Sequence, residues 1–204
     1  MNVNADRRNV VQLSSEYVHD FISATLPVWA VYHSYGHTCE VVEACREIGT
    51  ASGLNGDEVE MLMLAGWFHD AGYSIKVEGH EEVGSEMAEK FLAGNKYPRH
   101  KIETIVRCIL ATKLTCTPVT LMEKIIKDAD LISLGRGDYI EKNNLLRSEM
   151  EVRDKYKFTE AEWLTRSIQF LSSHRYQTEY ARENYANQVE KNLRTLQEQL
   201  ARAV

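Results

Sequence analysis

Apolar residues recur at intervals of three and four along nearly the whole chain, and no stretch sustains the alternation of a half-buried strand. This period constrains the fold more than any other feature, because positions i, i+3, i+4 and i+7 share one face of a helix. Val41, Val42, Cys45 and Ile48 form one such stripe, which stops before Gly53. Asp57 and Glu60 read as an acidic variant of a capping box for a helix through Leu62, Ala65 and His69 that ends near Gly72. A helix with Val83, Met87, Ala88, Phe91 and Leu92 stops at Gly94. Pro98 suits the first turn of the next, which carries Ile102, Ile105, Val106, Ile109 and Leu110. Thr117 and Pro118 read as N-cap and first residue of a helix from Val119 to Leu134, closed by Gly135. Thr159 and Glu162 cap a helix containing Leu164, Ile168 and Leu171, and a last helix carries Tyr185, Val189, Leu193, Leu196 and Leu200. Only 3 Pro and 11 Gly leave little punctuation for a turn-rich β protein. The expected fold class is all-α.

No linker or internal repeat divides the 204 residues, so the expectation is a single domain over 1–204. Its motif-bearing core spans 28–136, and C-terminal helices over 159–204 pack on that core or flank it. A hydrophobic share of 44% with 26% charged residues excludes a disordered or fibrous chain. The net charge of -6 argues against a general nucleic-acid binder, though not against a small anionic substrate held at a metal ion. Met1–Arg8 carries no apolar targeting run and no segment is long and apolar enough to span a membrane, so a cytoplasmic protein with no membrane partner is expected. Cys39, Cys45, Cys108 and Cys116 form no CxxC pair and read as reduced thiols on apolar helical stretches. The last helix reads as a docking face or the contact of a homodimer.

The chemistry-bearing residues are the histidines and aspartates on apolar helix faces. His37 continues the stripe of Val41 and Cys45, and His69 continues that of Leu62 and Ala65. Adjacent helical residues project about 100° apart, so His69 and Asp70 flank one point beyond the helix end. Asp130 lies one turn after Ile126 and two after Met122. A histidine on such a face is commonly a satisfied core residue, whereas an ionised aspartate there is costly unless paired or metal-bound. Imidazole with carboxylate suits zinc, manganese, iron or nickel, and mixed sites also accept magnesium with water. Asp128, about 200° around the axis from Asp130, is expected to face solvent or at most to bond a neighbouring helix.

His37, His69-Asp70 and a later aspartate, on helices of an all-α chain, resemble the HD superfamily of metal-dependent phosphohydrolases. Tyr32-His33-Ser34-Tyr35-Gly36-His37 resembles the Tyr-His-Asn-x-x-His segment of cyclic-nucleotide phosphodiesterases. Ile109-Leu110-Ala111-Thr112 resembles their Leu-Ala-Thr-Asp, and Ala129-Asp130-Leu131-Ile132 their Ala-Asp-Leu-Ser. The resemblance implies a compact helical bundle around a divalent cation (Mn, Fe, Ni, Zn or Mg) held by His37, His69, Asp70 and Asp130. It implies an enzyme that cleaves a small phosphate ester or a nucleotide with a metal-activated water, Asp70 also bridging to a second metal.

His33 matches the histidine that protonates the leaving oxygen; four residues before His37, it would share a helix face with that ligand. Its other reading is a supporting or surface histidine. His80-Glu81-Glu82-Val83-Gly84 resembles the His-Pro-x-x-Gly segment that supplies a ligand to a second metal; otherwise His80 is an N-cap neighbour. Members with two metals usually add a His-His pair where this chain has Thr112-Lys113. Lys113 and Arg136 either hold the substrate phosphate or are solvated. Gln169 and Phe170 are adjacent and do not match the base-gripping pair of the phosphodiesterases, so cyclic-nucleotide specificity does not carry over. Tyr176, Tyr180 and Tyr185, with Arg175 and Arg182, cover the pocket mouth or form an oligomer face. Two rival functions are a di-iron oxygenase on the same fold and a non-catalytic HD module that binds a nucleotide or a partner.

Overall fold

The computed structural model describes residues 10–203. The Met1–Arg8 segment, with its lack of a targeting run, lies outside them. Among the described residues the chain forms nine α-helices and no strand. In order they are α1 (Val10–Thr25), α2 (Tyr35–Ala51), α3 (Gly56–Phe68), α4 (His80–Gly94), α5 (Arg99–Ala111), α6 (Leu121–Asp130), α7 (Tyr139–Arg153), α8 (Glu160–Ser173) and α9 (Glu179–Ala203). Short 3-10 turns follow α3 at Ala71–Ser74 and α6 at Ile132–Gly135. None of these helices is long and apolar enough to cross a membrane. All four cysteines are free, Cys45 and Cys108 inside the core.

Helix α3 sits at the centre because it is apolar on nearly every side: Met61, Leu62, Leu64, Ala65, Gly66, Trp67 and Phe68 are all buried. Around it pack α1, α2, α4, α5 and α6. Val41, Val42, Cys45 and Ile48 of α2 and Ile102, Ile105 and Ile109 of α5 fill one continuous apolar cluster with it. A second, smaller cluster joins Leu134, Tyr139, Leu164, Leu171 and Leu196, tying α7, α8 and α9 to the turn after α6.

The helix boundaries differ from the sequence expectation in ways that capping explains. The box that opens α3 is Asn55 with Glu58, not Asp57 with Glu60. Helix α6 starts at a Thr120–Glu123 box, not at Thr117-Pro118, and ends at Asp130, the turn Ile132–Gly135 replacing its expected continuation. In both cases the side chain that caps sits three residues before a glutamate that caps it in return, which fixes the true start. The Thr159–Glu162 box opens α8 as expected. Helix α3 stops at Phe68, and Gly72 lies in the 3-10 turn beyond it. Gly72 serves close approach, not helix termination. A Cβ there would stand 2.3 Å from the carbonyl oxygen of His80, and one on Gly84 2.3 Å from that of Phe68. Two glycines thus let the start of α4 lie directly on the end of α3, which brings His80 beside Asp70.

Asp128 does not face solvent, and of its two expected states it takes the other, bonded to the start of a neighbouring helix. It is 1% exposed, neither solvent-facing nor a surface residue. Its carboxylate accepts the backbone N–H of Gln177 and of Thr178, each at 2.8 Å, and the Thr178 hydroxyl at 2.7 Å. Thr178 in turn accepts the N–H of Ala181, so Asp128 anchors the first turn of α9. Asp128→Asn is therefore expected to lower stability by about 1–3 kcal/mol, because an amide N–H would face donors that need an acceptor. Chemical denaturation checks this; a change inside about 0.5 kcal/mol would return Asp128 to an ordinary surface role.

Candidate metal centre

Three helix ends and one short turn converge on a single point. His37 is in the first turn of α2, His69 closes α3, Asp70 leads into the turn after it, and Asp130 is the last residue of α6. Nε2 of His37 lies 3.2 Å from Oδ1 of Asp130 and 3.5 Å from Oδ2 of Asp70. Nε2 of His69 lies 3.2 Å from Oδ2 of Asp70 and 3.5 Å from Oδ1 of Asp130. Ligand atoms of His37, His69 and Asp70 all fall within 4.8 Å of one another, and all three residues are buried.

The donor set fits a divalent cation on the protein's own geometry. Nδ1 of His69 donates to the carbonyl of Gly66 at 2.8 Å, which fixes the tautomer and leaves Nε2 with a free lone pair. Yet Nε2 of His69 and Oδ2 of Asp70, although close, are not aligned for a hydrogen bond, and both are buried with no hydrogen-bond partner. Two orphaned, acceptor-type atoms aimed together are the arrangement of ligands that share an ion, since leaving both unpaired is costly. Electrostatics agree. Burial pushes the His69 imidazole down, but the Asp70 and Asp130 carboxylates outweigh it and raise it well above the ordinary histidine range, so that a cation at Nε2 would take the place of the proton they favour there. Burial likewise opposes ionisation of Asp130, and the hydrogen bond from His37 together with the nearby His69 imidazole prevails, holding it below the usual carboxylate range. The buried Asp70 and half-buried Asp130 carboxylates thus draw positive charge inward.

His80 stands on the other side of Asp70. Its Nδ1 donates to the carbonyl of Val77 at 2.7 Å, and its Nε2 lies 3.3 Å from Oδ1 of Asp70 and 3.7 Å from Glu81. Against its burial, the Asp70 carboxylate pushes His80 up to about 9. The carboxylate of Asp70 therefore turns Oδ2 to the His37–His69 pair and Oδ1 to His80.

His33 is not on a helix with His37, as the four-residue spacing had suggested. Ser34 is the N-cap of α2, its hydroxyl accepting the N–H of His37, so His33 belongs to the preceding loop. What holds it is Glu149 of α7, 0% exposed and unforeseen from sequence. Oε2 of Glu149 accepts the backbone N–H of Tyr32 at 2.9 Å and of His33 at 3.1 Å. Oε1 accepts the Tyr73 hydroxyl at 2.7 Å and pairs with Nδ1 of His33. Burial pushes the Glu149 carboxyl up, but these bonds outweigh it and keep it below the usual range. An ionised carboxylate only accepts, so Nδ1 of His33 carries a hydrogen and Nε2 is the nitrogen left for chemistry. The His33 ring stacks on Tyr73, centroids 4.1 Å apart.

His33, Asp70, His80, Lys113 and Asp130 all line one cavity of about 970 Å3 that runs from the aspartates to α7 and α8. Lys113 pairs with Glu82 at its edge. Arg136 does not line this cavity; its carbonyl accepts the side-chain amide of Asn192, and its charge bears on Glu43 and Tyr185. Nor do the C-terminal tyrosines line it. Tyr176 bonds the carbonyls of Leu131 and Ile132, while Tyr180 and Tyr185 both donate to Glu47, fastening the C-terminal segment to α2 and to the turn after α6.

The fold has solved counterparts. The crystal structure of a predicted HD superfamily hydrolase from an uncultured Thermotogales bacterium superposes with a TM-score of 0.62 at 18% identity, covering 92% of this chain and 91% of that one. The Lin1889 protein from Listeria innocua gives a TM-score of 0.65, also at 18% identity, covering 97% and 98%. At that identity the likeness is one of fold. No curated protein matches the chain. Residues 34–135, the stretch that carries His37, His69, Asp70 and Asp130, match the HD domain, and the chain belongs to the HD domain family.

Proposed function

We propose that this chain is a metal-dependent phosphohydrolase that cleaves a small phosphate ester or nucleotide. The observation that carries the reading is the buried cluster of His37, His69 and Asp70, with half-buried Asp130 beside both histidines and the orphaned Nε2 of His69 and Oδ2 of Asp70 facing one point. These four residues hold the cation, and His80 with Oδ1 of Asp70 offers a place for a second. A cation bound there lowers the pKa of a coordinated water towards neutrality and polarises a phosphoryl oxygen. The chain's own groups do the rest. Lys113 lies where it can meet a phosphate oxygen, provided its pairing with Glu82 yields. Glu149 holds Nδ1–H of His33, so that the ring, when protonated at both nitrogens, presents its Nε2–H to the departing alkoxide. Membership of the HD family supports this reading, and the Thermotogales neighbour is itself called a hydrolase. The di-iron alternative needs further protein ligands where Thr112 is committed to the carbonyl of Ile109 at 2.8 Å and Lys113 to Glu82.

The test is a screen of phosphomonoesters, phosphodiesters and nucleotides with manganese, nickel, iron or magnesium, on protein first stripped by a chelator. Turnover is expected only after metal is restored. Undiminished turnover by thoroughly metal-free protein, or none with any metal, would overturn the assignment.

A further inference from the structure

The cavity that holds His33 and Asp70 is divided by charge. Its five lining carboxylates, Asp70, Glu78, Glu81, Glu82 and Asp130, all sit at the metal end. The opposite wall, built by α7 and α8, contributes Lys142, Arg153 and Arg166 and no carboxylate, although the chain as a whole has a net charge of -6. Lys142 is matched by Glu40 at 2.6 Å. Arg166 forms no ion pair and no side-chain hydrogen bond among the described residues. An exposed helical arginine ordinarily meets a carboxylate one turn away. That neighbour, Glu162, is already engaged: Oε2 accepts the N–H and the hydroxyl of Thr159 at 2.7 and 2.9 Å, and Oε1 the Tyr156 hydroxyl at 2.9 Å. Trp163, Arg166, Ser167 and Phe170 share one face of α8, which sets Arg166 on the cavity side. Gln169 adds an unbonded carboxamide there. The other polar groups of the wall are spent, Ser173 on the carbonyl of Phe170 and Asn143 and Ser167 on each other.

Arg153 relates this wall to the chemistry. Its Nε and Nη2 donate to Asp154 at 2.6 and 2.7 Å, so neither bond uses Nη1. Asp154 also feels the charge of Arg166, which places two guanidiniums around one carboxylate that does not itself line the cavity. On its other side Arg153 bears on the Tyr73 hydroxyl, and Tyr73 shares Glu149 with His33 and stacks on the His33 ring. Arg153 lies one turn past Glu149, about 6 Å along α7. The order His33, Tyr73, Arg153, Arg166 thus leads from the proton donor to the cationic wall, so a group received there belongs to the leaving alcohol. We propose that Arg166, with Arg153 beside it, selects substrates whose leaving alcohol bears a second oxyanion, a phosphate or a carboxylate. The guanidinium fork pairs with either. This rests on the phosphohydrolase reading in one respect, the naming of that part as the leaving alcohol.

Calorimetric titration of the full chain with manganese and phosphonates, whose P–C bond resists hydrolysis, tests this without catalysis. The probe para-(phosphonomethyl)benzoate represents the carboxylate and para-xylylene diphosphonate the phosphate. Their neutral-tailed counterparts are para-(phosphonomethyl)benzamide and para-methylbenzylphosphonate. At least one charged tail is expected to bind about 10- to 100-fold more tightly than its counterpart, the range for hydrogen bonds to a charged group. The larger of the two advantages names the oxyanion. Arg166→Gln should erase most of that preference, and Arg166→Lys should keep part of it, since an ammonium supplies the charge without the fork. Asp154→Asn removes the competing carboxylate and should raise the preference, a gain that a merely structural wall would not give. Equal binding of charged and neutral tails by the native protein, or no binding of either charged probe, would overturn the proposal even if the variants fail to fold. A preference left intact by Arg166→Gln would overturn it as well. If the preference holds but no phosphate ester is cleaved with any metal, the phosphohydrolase reading falls and the anion site stands. Turnover accompanied by indifference to the tail's charge does the opposite: the anion site falls and the phosphohydrolase reading stands.

Discussion

Asp130→Asn is expected to empty the metal site and lower turnover by well over about 100-fold, more than is lost when residues merely supporting a metal ligand are changed. The reason is geometric as well as electrostatic. Oδ1 of Asp130 lies 3.2 Å from Nε2 of His37 and 3.5 Å from Nε2 of His69, so it completes the ring of donors that His69 and Asp70 begin. An amide at that place offers either a neutral oxygen or an N–H group, and the second repels a cation. Asp128→Asn is the internal control, since Asp128 faces away from the centre and spends its oxygens on the start of α9. It should retain metal while losing stability. A cation that binds only the folded chain raises the midpoint of thermal unfolding, by about 4 kcal/mol of stability at a thousandfold excess over Kd. Chelation should therefore lower the midpoint of the native protein and of Asp128→Asn, and leave that of Asp130→Asn unchanged. Metal content by mass spectrometry reads the same contrast directly. An Asp130→Asn protein that keeps its metal and its chelator response would remove Asp130 from the ligand set.

The candidate ligands are legible in the sequence because each interrupts a strong local pattern. His37, His69 and Asp130 extend apolar stripes whose other members are buried; His37 and His69 are themselves buried, while Asp130 at the end of α6 is half-buried. The stripe alone leaves Asp128 between solvent and a neighbouring helix, because its partners are some 50 residues away in the approach to α9; the far side of α6 is covered by chain that no local pattern can foresee. Glu149 was missed for a related reason. Helix α7 buries Asn143 and Glu149 along with Tyr139 and Met150, so the face it turns inward is partly polar and its helical period is weak. A helix built to line a site hides its own signal. Helix α1, whose buried residues are Ser14, Val18 and Ile22, was also not foreseen. His33 was found by its neighbours in sequence but placed on the wrong element, because Ser34 caps α2 one residue after it.

The position of His33 leads to the second large effect. His33→Asn is expected to lower kcat by about 10²–10⁴-fold with metal content intact, the range for removing a general acid. His33 contributes no atom to the cluster of His37, His69 and Asp70, so losing it should not release the ion. Two features make it suited to giving up a proton. Its Nδ1–H is tied to Glu149, so a ring protonated at both nitrogens releases the hydrogen on Nε2, and its face is held against Tyr73, which sets the ring's plane. Glu149→Gln disturbs both: the new amide brings an N–H towards the backbone donors of Tyr32 and His33 or towards the Tyr73 hydroxyl. It should lower stability as well as kcat, which His33→Asn should not, because His33 keeps part of its side chain in solvent while Glu149 is sealed. The decisive measurement is the dependence on leaving group. A phosphate ester of an acidic phenol departs without protonation, so the defect of His33→Asn should shrink towards native rates as the leaving-group pKa falls. Glu149→Gln should follow the same slope if it acts through His33. An equal loss on acidic and basic leaving groups would instead make His33 a phosphate-binding residue, with Glu149 its anchor and the proton supplied from elsewhere.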